Sequence, residues 1–309
     1  MFVPILLRKG SPLRLDYGIW SIQGRRKTQE DAHSAVPKLL EGEEEEEAQR
    51  PFAFFGVYDG HGGEKASEWV GQHFDKIFGD KITQSGNQTS AEVLSKALRE
   101  AFLEVEDQWM GIADQKKECS GTTAAVVVVK DNDIIVGNVG DTEVVVAASD
   151  EAEQLQAIAV TEVHNPKKNK AEGERVVKEG GIIHRDRVGH PQFNPDLMSI
   201  AISRAIGDYG FKAKEFTGGK NSGLIAEPYV TTLTLQPNKH KFCIIACDGL
   251  WDVITADEAV AFIAKEQAKE DSDAEDAAKA LVEAAYKKGS TDNITVLVIY
   301  FHWDRQQQQ

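Results

Sequence analysis

Runs of apolar, often β-branched residues alternate with short polar turns along most of the chain, and this pattern predicts β-strands. Successive runs are mostly separated by a few turn residues, which is typical of antiparallel neighbours. A shorter apolar run at residues 32–36 predicts a further extended segment. We predict strands at residues 18–23, 52–58, 122–129, 134–139, 143–148, 156–161, 229–235, 241–247 and 293–301.

Two pairs of helices interrupt these strands. We predict them at residues 64–78, 91–110, 256–268 and 273–288. Thr255 with Glu258, and Ser272 with Glu275, predict capping boxes at the start of the last two helices. Gly289 predicts the end of the final helix. The order of elements predicts an α+β fold, with an antiparallel β core and a helical pair on each side.

The chain of 309 residues is long enough for one large core, and no Pro-, Gly- or Ser-rich linker divides it. We predict an extension at residues 1–16, one compact domain at 17–303 and a polar tail at 304–309. Residues 166–194 carry mixed charges and few apolar side chains, which predicts a partly helical insertion near the surface. The acidic run Glu43–Glu47 is typical of a solvated loop.

The formal net charge of −15 argues against binding to nucleic acid or to an anionic membrane, but it suits divalent cations. Cys243 and Cys247 lie in an apolar run, which predicts buried thiols, and Cys119 completes a sparse set without zinc spacing. The first residues predict neither a signal peptide nor a spanning helix. We therefore expect a cytoplasmic or nuclear protein, and we expect a monomer.

Acidic residues stand where several predicted strands begin or end. Asp59 and Asp248 directly follow predicted strands, and Asp141 follows another after a single glycine. Asp292 and the pair Glu30-Asp31 come just before extended segments. A single aspartate at a strand end is usually a turn residue. Because antiparallel strands place opposite ends side by side, however, all these carboxylates could line one edge of the core.

Carboxylates crowded at one edge would repel one another unless cations neutralise them. The predicted ligands are oxygens without a His or Cys cluster, so hard cations such as Mg²⁺ or Mn²⁺ are favoured over zinc. The glycines from Gly60 to Gly63 would let a carbonyl approach an ion, although an ordinary strand-to-helix loop explains them equally well. A basic cluster, Arg25-Arg26-Lys27, precedes these acids. A guanidinium can hold two phosphate oxygens, but all three residues fit an ordinary surface patch, which we favour for Arg25 and Lys27.

The chain resembles the metal-dependent protein phosphatases, the type 2C Ser/Thr phosphatases, from about Tyr17 to Phe301. The resemblance rests on eight motifs that follow one another in order. They are RKTQEDAH at 26–33, VYDGHGG at 57–63, SGTTA at 120–124, NVGD at 138–141, SRAIGD at 203–208, EPYV at 227–230, ACDGLWDV at 246–253 and STDNIT at 290–295. It implies an α-β-β-α sandwich, with two antiparallel sheets flanked by helices, and residues 17–303 would then be the phosphatase domain.

The resemblance implies a centre of two Mg²⁺ or Mn²⁺ ions. Asp59 matches the residue that bridges both ions. Asp248 and Asp292 match the remaining protein ligands of one ion, and the carbonyl of Gly60 matches a ligand of the other. Glu30 and Asp31 match residues that hold metal-bound waters.

A weaker third metal ion is also implied by the resemblance, at Asp141 and Asp252. Arg26 matches the phosphate-binding arginine, and His61 matches the proposed general acid. The implied reaction is hydrolysis of phosphoserine and phosphothreonine in proteins. Two cations lower the pKa of a shared water, and the resulting hydroxide attacks phosphorus in line. Phosphorylated proteins are therefore the expected partners.

The chain departs from the family pattern at two places. Thr142-Glu143 follows the aspartate of the third metal site, where the family often has Ser-Arg. Residues 163–166 read Val-His-Asn-Pro, where Asp-His-Lys-Pro is common. These changes bear on the third ion and on a flap that we predict at residues 165–196, whose charges would shape substrate choice. We interpret Arg204 as structural, paired with Asp208 or another nearby acid.

Two other hypotheses compete with an active phosphatase. A catalytically impaired relative could bind phosphoproteins as a scaffold, but such a relative would be expected to lose metal carboxylates, and Asp59, Asp248 and Asp292 are all present. A structural protein with an acidic face would leave the clustering of acids at strand ends unexplained.

Overall fold

A computed structural model describes residues 5–6, 13–39, 52–86, 88–270 and 272–303. The acidic run predicted as a loop at 43–47 and the predicted tail at 304–309 lie outside the described residues, as does most of the predicted extension at 1–16.

Two antiparallel sheets form the centre of the fold, and the bounds of their strands follow in spatial order. The larger sheet contains β1 (Ile5–Leu6), β2 (Leu13–Ile22), β17 (Ile294–Trp303), β16 (His240–Ala246), β9 (Glu143–Ser149) and β10 (Leu155–Ala159). The second sheet contains β15 (Tyr229–Thr234), β8 (Asp133–Val139), β7 (Ala124–Lys130), β4 (Phe52–Tyr58) and β3 (Ala32–Leu39). Strands that adjoin within each sheet run antiparallel, as predicted.

A pair of long helices covers the outer face of each sheet. The helices are α1 (Lys65–Gln84) and α2 (Ala91–Lys116) on the five-stranded sheet, and α7 (Ala256–Gln267) and α8 (Ala274–Lys288) on the six-stranded sheet. Thr255 and Glu258 form the predicted capping box. Gly289 ends α8 with a left-handed backbone, φ 105°, as its prediction required.

The second predicted capping box is wrong by one residue. Asp273, and not Ser272, caps α8, because its Oδ1 accepts hydrogen bonds from the backbone N–H groups of Glu275 and Asp276, both at 3.0 Å. A carboxylate at the N-cap position also interacts favourably with the positive end of the helix dipole.

Strand β4 shows why some predicted strands are apolar at every position and do not alternate with polar residues. Ala53, Phe55 and Val57 pack between the two sheets, whereas Phe54 and Tyr58 pack against α1 and α2. Both faces of this strand are buried, so no polar residue alternates with the apolar ones. A third apolar cluster lies between the six-stranded sheet and the helices α7 and α8. The molecule is therefore the predicted α-β-β-α sandwich.

Smaller elements connect and decorate the sandwich, and their shortness explains why the apolar pattern did not predict them. One small sheet joins β5 (Gly60–His61), β6 (Gly121–Thr122) and β14 (Ile206–Gly207). The segment predicted as a flap contains α3 (Lys170–Lys178), β11 (Ile182–His184) and β12 (Arg187–Gly189), and β12 pairs with β13 (Ser199–Ile200). The short helices are α4 (Tyr209–Lys212), α5 (Lys214–Thr217) and α6 (Asp248–Trp251).

Candidate functional site

A cavity of about 580 Å³ opens at one edge of the sandwich, where strands of both sheets end. Asp59 follows β4 of the five-stranded sheet, Asp248 follows β16 of the six-stranded sheet after one residue, and Asp292 lies two residues before β17. The predicted site residues that line this cavity are Arg26, Asp59, Gly60, His61, Asp141, Asp248 and Asp292. Residues distant in sequence are thus brought together at the predicted edge.

The aspartates of this cavity are buried and close enough to repel one another. Burial raises the pKa of Asp59 well above its ordinary value, and the charges of Asp31, Asp248 and Asp141 raise it further. Burial, followed by the charges of Asp141 and Asp252, raises the pKa of Asp248 to about 8. Buried carboxylates this close together favour a nearby cation, because its positive charge offsets their mutual repulsion.

Asp31 joins the cluster from strand β3's N-terminal side, although it is not part of the cavity lining. A carboxylate oxygen of Asp31, one of Asp59 and Sγ of Cys247 all lie within 4.8 Å of one another. Asp31 Oδ2 accepts hydrogen bonds from Thr295 Oγ1 at 2.6 Å and from Cys247 Sγ at 3.3 Å. Burial raises the pKa of Cys247, which keeps this buried thiol protonated and able to donate.

The donor set fits hard divalent cations. Aspartate oxygens converge at the cavity, and the adjacent thiol of Cys247 donates to Asp31, so it is not a thiolate ligand. Mg²⁺ and Mn²⁺ prefer oxygen ligands of this kind. Asp59, Asp248 and Asp292 would hold such ions, with Asp31 beside them.

Gly60 is a position where a side chain cannot fit. A Cβ atom there would lie 2.2 Å from the carbonyl oxygen of Glu30 and 2.7 Å from Ser67 Oγ. The main chain of Glu30 is therefore packed against Gly60. The Glu30 N–H donates to Asn293 Oδ1 at 2.9 Å. The Glu30 carboxylate accepts a hydrogen bond from Thr28 Oγ1 at 2.9 Å and is not among the groups that line the cavity.

Of the basic cluster at residues 25–27, Arg26 is the member that lines the cavity. Its Nη2 donates to Asp292 Oδ2 at 2.5 Å, while 54% of the side chain remains exposed. The guanidinium of Arg25 instead lies 5.2 Å from the ring centre of Tyr286, and Lys27 is exposed. Arg26 thus presents a positive charge to the cavity beside the carboxylates.

His61 has a partner that the sequence did not reveal. Its Nε2 lies 2.8 and 2.9 Å from the two carboxylate oxygens of Asp208. Burial lowers the pKa of His61, but the charge and hydrogen bond of Asp208 outweigh burial and raise it overall. Asp208 adopts a left-handed backbone at φ 62°, a conformation uncommon for residues other than glycine.

The small sheet of β5, β6 and β14 makes this pairing possible, because it joins three of the sequence motifs. Gly121 in β6 must lack a side chain, since a Cβ atom would lie 2.4 Å from Asp208 Oδ2 and 2.5 Å from His61 Nε2. Arg204 was expected to pair with Asp208 or with another nearby acid, and Asp208 pairs with His61 instead. Arg204 donates to Glu172 Oε1 at 2.7 Å, which agrees with the alternative of another nearby acid.

Asp141 and Asp252 lie at the outer end of the cluster. Asp141 is 4% exposed, and its Oδ2 accepts a hydrogen bond from Asn165 Nδ2 at 2.9 Å. Asp252 is exposed, and its Oδ1 accepts from Lys168 Nζ at 2.8 Å. The sequence analysis missed Lys168 and Asn165 as partners of these acids, and only the unusual Val-His-Asn-Pro stretch pointed to this region.

Comparison with known proteins agrees with the fold. The sequence matches the family described as Protein phosphatase 2C over residues 15–294. The chain belongs to this family.

Relatives and a solved structure extend the comparison. The protein spalten of Dictyostelium discoideum is 33% identical over 302 residues, which are 96% of this chain and 28% of spalten. A probable protein phosphatase 2C of Caenorhabditis elegans is 34% identical over 249 residues, 80% of this chain and 62% of that protein. The crystal structure of a serine-threonine phosphatase 2C from Toxoplasma gondii matches with a TM-score of 0.77 at 25% identity, covering 97% of this chain and 98% of that one. This chain therefore spans less than two thirds of the length of those two curated relatives.

None of the helices in the described part of the chain has the length and apolarity needed to cross a lipid bilayer.

Proposed function

We propose that this protein is a metal-dependent protein phosphatase that hydrolyses phosphoserine and phosphothreonine in phosphorylated proteins. The observation that carries the proposal is the convergence of Asp59, Asp248 and Asp292 in one cavity with Arg26. Family membership supports it, because the matched region covers most of the chain. We further propose that it works as a monomer in the cytoplasm or nucleus.

The proposed cofactors are two Mg²⁺ or Mn²⁺ ions held by Asp59, Asp248 and Asp292, with the carbonyl of Gly60 as a further ligand. When bound, such ions act as Lewis acids that lower the pKa of water and stabilise charge on phosphoryl oxygens. Asp31, which lies beside Asp59, would orient water around the ions. The resemblance gives Glu30 the same task, but its carboxylate does not line the cavity. Asp31 is fixed for this task by its hydrogen bonds from Thr295 and Cys247.

Arg26 binds the phosphoryl group in this proposal. Its guanidinium is half exposed at the cavity, and its fork of donors matches two phosphoryl oxygens. The contact with Asp292 orients the side chain before the substrate arrives. A preoriented cation lowers the reorganisation needed when negative charge builds up during hydrolysis.

His61 supplies the proton that the departing serine or threonine oxygen requires. Asp208 favours the protonated imidazole, so a proton is available near neutral pH. A serine alkoxide is a poor leaving group, and protonation by a positioned acid speeds its departure.

Phosphate release from a phosphothreonine peptide tests the proposal, measured with Mn²⁺ and with EDTA. We expect turnover to require the metal, and we expect Asp59→Asn or Asp248→Asn to lower kcat by at least about a hundredfold, because metal sites depend steeply on their ligands. Asp80→Asn, at an exposed position of α1, is the matched control and should retain wild-type turnover.

The same assay separates the alternative of a phosphoprotein-binding scaffold. A protein that binds the phosphopeptide but releases no phosphate with Mn²⁺ would favour the scaffold. Near-normal turnover in Asp59→Asn would show that the carboxylates are not the metal ligands.

A further inference from the structure

The outer end of the aspartate cluster already contains a cation that belongs to the chain. Lys168 Nζ lies 2.8 Å from Asp252 Oδ1, and the side chain of Lys168 is 36% exposed. Its charge also acts on Asp141, Asp248 and Glu143, where it opposes the rise in carboxylate pKa that burial causes. The ammonium group of Lys168 therefore interacts electrostatically with four carboxylates at this end.

The turn that carries Lys168 is built to hold it there. Asn165 Oδ1 accepts the N–H of Lys167 at 3.0 Å, and the Asn165 carbonyl accepts the N–H groups of Lys168 and Asn169 at 3.0 and 2.7 Å. The amide of the same Asn165 donates to Asp141 at 2.9 Å. Asn169 then caps helix α3. A single turn thus contributes a partner to each of the two outer aspartates.

Charge balance gives this arrangement a consequence. Two divalent ions together with Arg26 and Lys168 carry six positive charges, which equal the charges of the six aspartates of the cluster when all are ionised, while Glu143 adds one negative charge at the outer end. Those aspartates are Asp31, Asp59, Asp141, Asp248, Asp252 and Asp292. A further divalent ion at Asp141 and Asp252 would meet the repulsion of a tethered ammonium group a few ångströms away.

We propose that Lys168 acts as a built-in cation that occupies the Asp141–Asp252 end of the site and limits the number of divalent ions that the protein holds. This proposal rests on the proposed function, because it takes the inner ions for granted. Lys168 is a positioning and selectivity residue in this account, and it does not touch the substrate. Its charge, and not the packing of its side chain, carries the effect.

Counting bound Mn²⁺ tests the proposal directly, with free Mn²⁺ followed by electron paramagnetic resonance during a titration of the apoprotein at low salt. We expect the wild type to bind two ions. We expect Lys168→Gln to bind an additional ion, or to tighten the weakest step by at least about tenfold, because a unit charge in contact with the site is removed.

Matched variants separate charge at this position from general effects. Lys167→Gln removes the same charge from the neighbouring exposed residue and should titrate like the wild type. Lys168→Arg keeps the charge and should do the same. Adding Asp252→Asn to Lys168→Gln should abolish the additional ion.

Each outcome bears on one of the two proposals. A Lys168→Gln isotherm identical to those of the wild type and Lys167→Gln would overturn the role of Lys168 and leave the proposed function intact. A wild type that binds no Mn²⁺ would overturn the proposed function, and this inference with it.

Discussion

Asp208 changes what His61 can do, because it holds the imidazole by Nε2 and favours its protonated form. The pair lies at the edge of the cavity, and Gly121 leaves the space that it occupies. An imidazolium held in place can protonate a departing oxygen without first searching for its orientation.

The identity of the leaving group tests this role. We expect His61→Ala and Asp208→Asn to lower kcat for a phosphoserine peptide by about a hundredfold, within the usual contribution of a general acid. The same variants should hydrolyse p-nitrophenyl phosphate almost as fast as the wild type, since p-nitrophenolate leaves without a proton. Steady-state kinetics with both substrates provide the measurement, and equal losses on the two substrates would argue against an acid role.

In our proposal, Arg26 binds the phosphoryl group. Arg26→Ala should raise KM for a phosphopeptide by about tenfold or more, because one charge-assisted hydrogen bond contributes about 1.5–3 kcal/mol. Its effect on Mn²⁺ affinity, measured by titration, should be smaller. Arg25→Ala is the control, since Arg25 stacks on Tyr286 and is not part of the cavity lining. Phosphopeptide kinetics unchanged in Arg26→Ala would reject the assignment.

The meeting of Asp248 with Asp292 was predictable from the sequence, because they flank the neighbouring antiparallel strands β16 and β17, whose opposite ends share an edge. That Asp59 joins them depends on how the two sheets pack, which strand ends alone do not fix.

The partners of the site residues were not predictable. Asp208 is 147 positions from His61, and no periodicity connects the two. Lys168 was equally hidden, because a surface lysine carries no signal until the fold places it 2.8 Å from Asp252.

At the scale of elements, helix α3 of the flap is tied to the sandwich by a buried carboxylate. Glu172 is 4% exposed and accepts hydrogen bonds from Arg204 at 2.7 Å, Arg175 at 3.0 Å and Ser203 at 2.6 Å. Arg204 in turn donates to the carbonyl of Glu227, just before β15. The turn that holds Lys168 leads directly into α3, so this network also fixes the outer end of the aspartate cluster.

Replacing this carboxylate should destabilise the protein. We expect Glu172→Gln to lower the free energy of unfolding by about 3 kcal/mol, because it leaves two arginines without their buried anion. Glu174→Gln, at an exposed position of the same helix, should change it by less than about 0.5 kcal/mol. Urea denaturation at pH 7 provides the comparison. Equal stability of the two variants would show that the network does not anchor α3.

The effect of Glu172 should depend on pH with a defined sign. Burial alone would raise the pKa of Glu172, but its hydrogen bonds with Arg204 and Arg175 lower it from 4.5 to about 2. A carboxyl whose pKa is lower in the folded state stabilises the fold above its unfolded pKa. The stability difference between wild type and Glu172→Gln should therefore be complete above pH 4.5 and shrink as the pH falls towards 2.

The longer elements followed from the apolar pattern, and the shorter ones did not. Helices α1 and α2 begin within a residue of their predicted starts but continue past their predicted ends, to Gln84 and Lys116. Gly79 and Gly111 directly follow the predicted ends but do not stop the helices, because Ile82 and Ala113 extend the buried face of each helix by a further turn. The strand predicted at residues 122–129 is divided at Thr123, whose N–H donates to the carbonyl of Asp59 at 2.9 Å. A two-residue strand such as β5 forms only when tertiary contacts support it.

At the scale of the whole molecule, the site exists because two sheets pack face to face. Asp59 comes from the five-stranded sheet, whereas Asp248 and Asp292 come from the six-stranded sheet. Apolar residues between the sheets, among them Phe55 and Ile245, fix the distance between these edges. The buried carboxylates oppose this packing by mutual repulsion, and bound cations would remove that opposition.

Anomalous scattering from a crystal grown with Mn²⁺ tests the metal centre most directly. We expect two strong Mn²⁺ peaks in the cavity, with carboxylate oxygens of Asp59, Asp248 and Asp292 at coordination distance and Asp59 in contact with both ions. Anomalous maps without peaks at these carboxylates, from crystals in which Mn²⁺ supports hydrolysis of the phosphopeptide, would contradict the account.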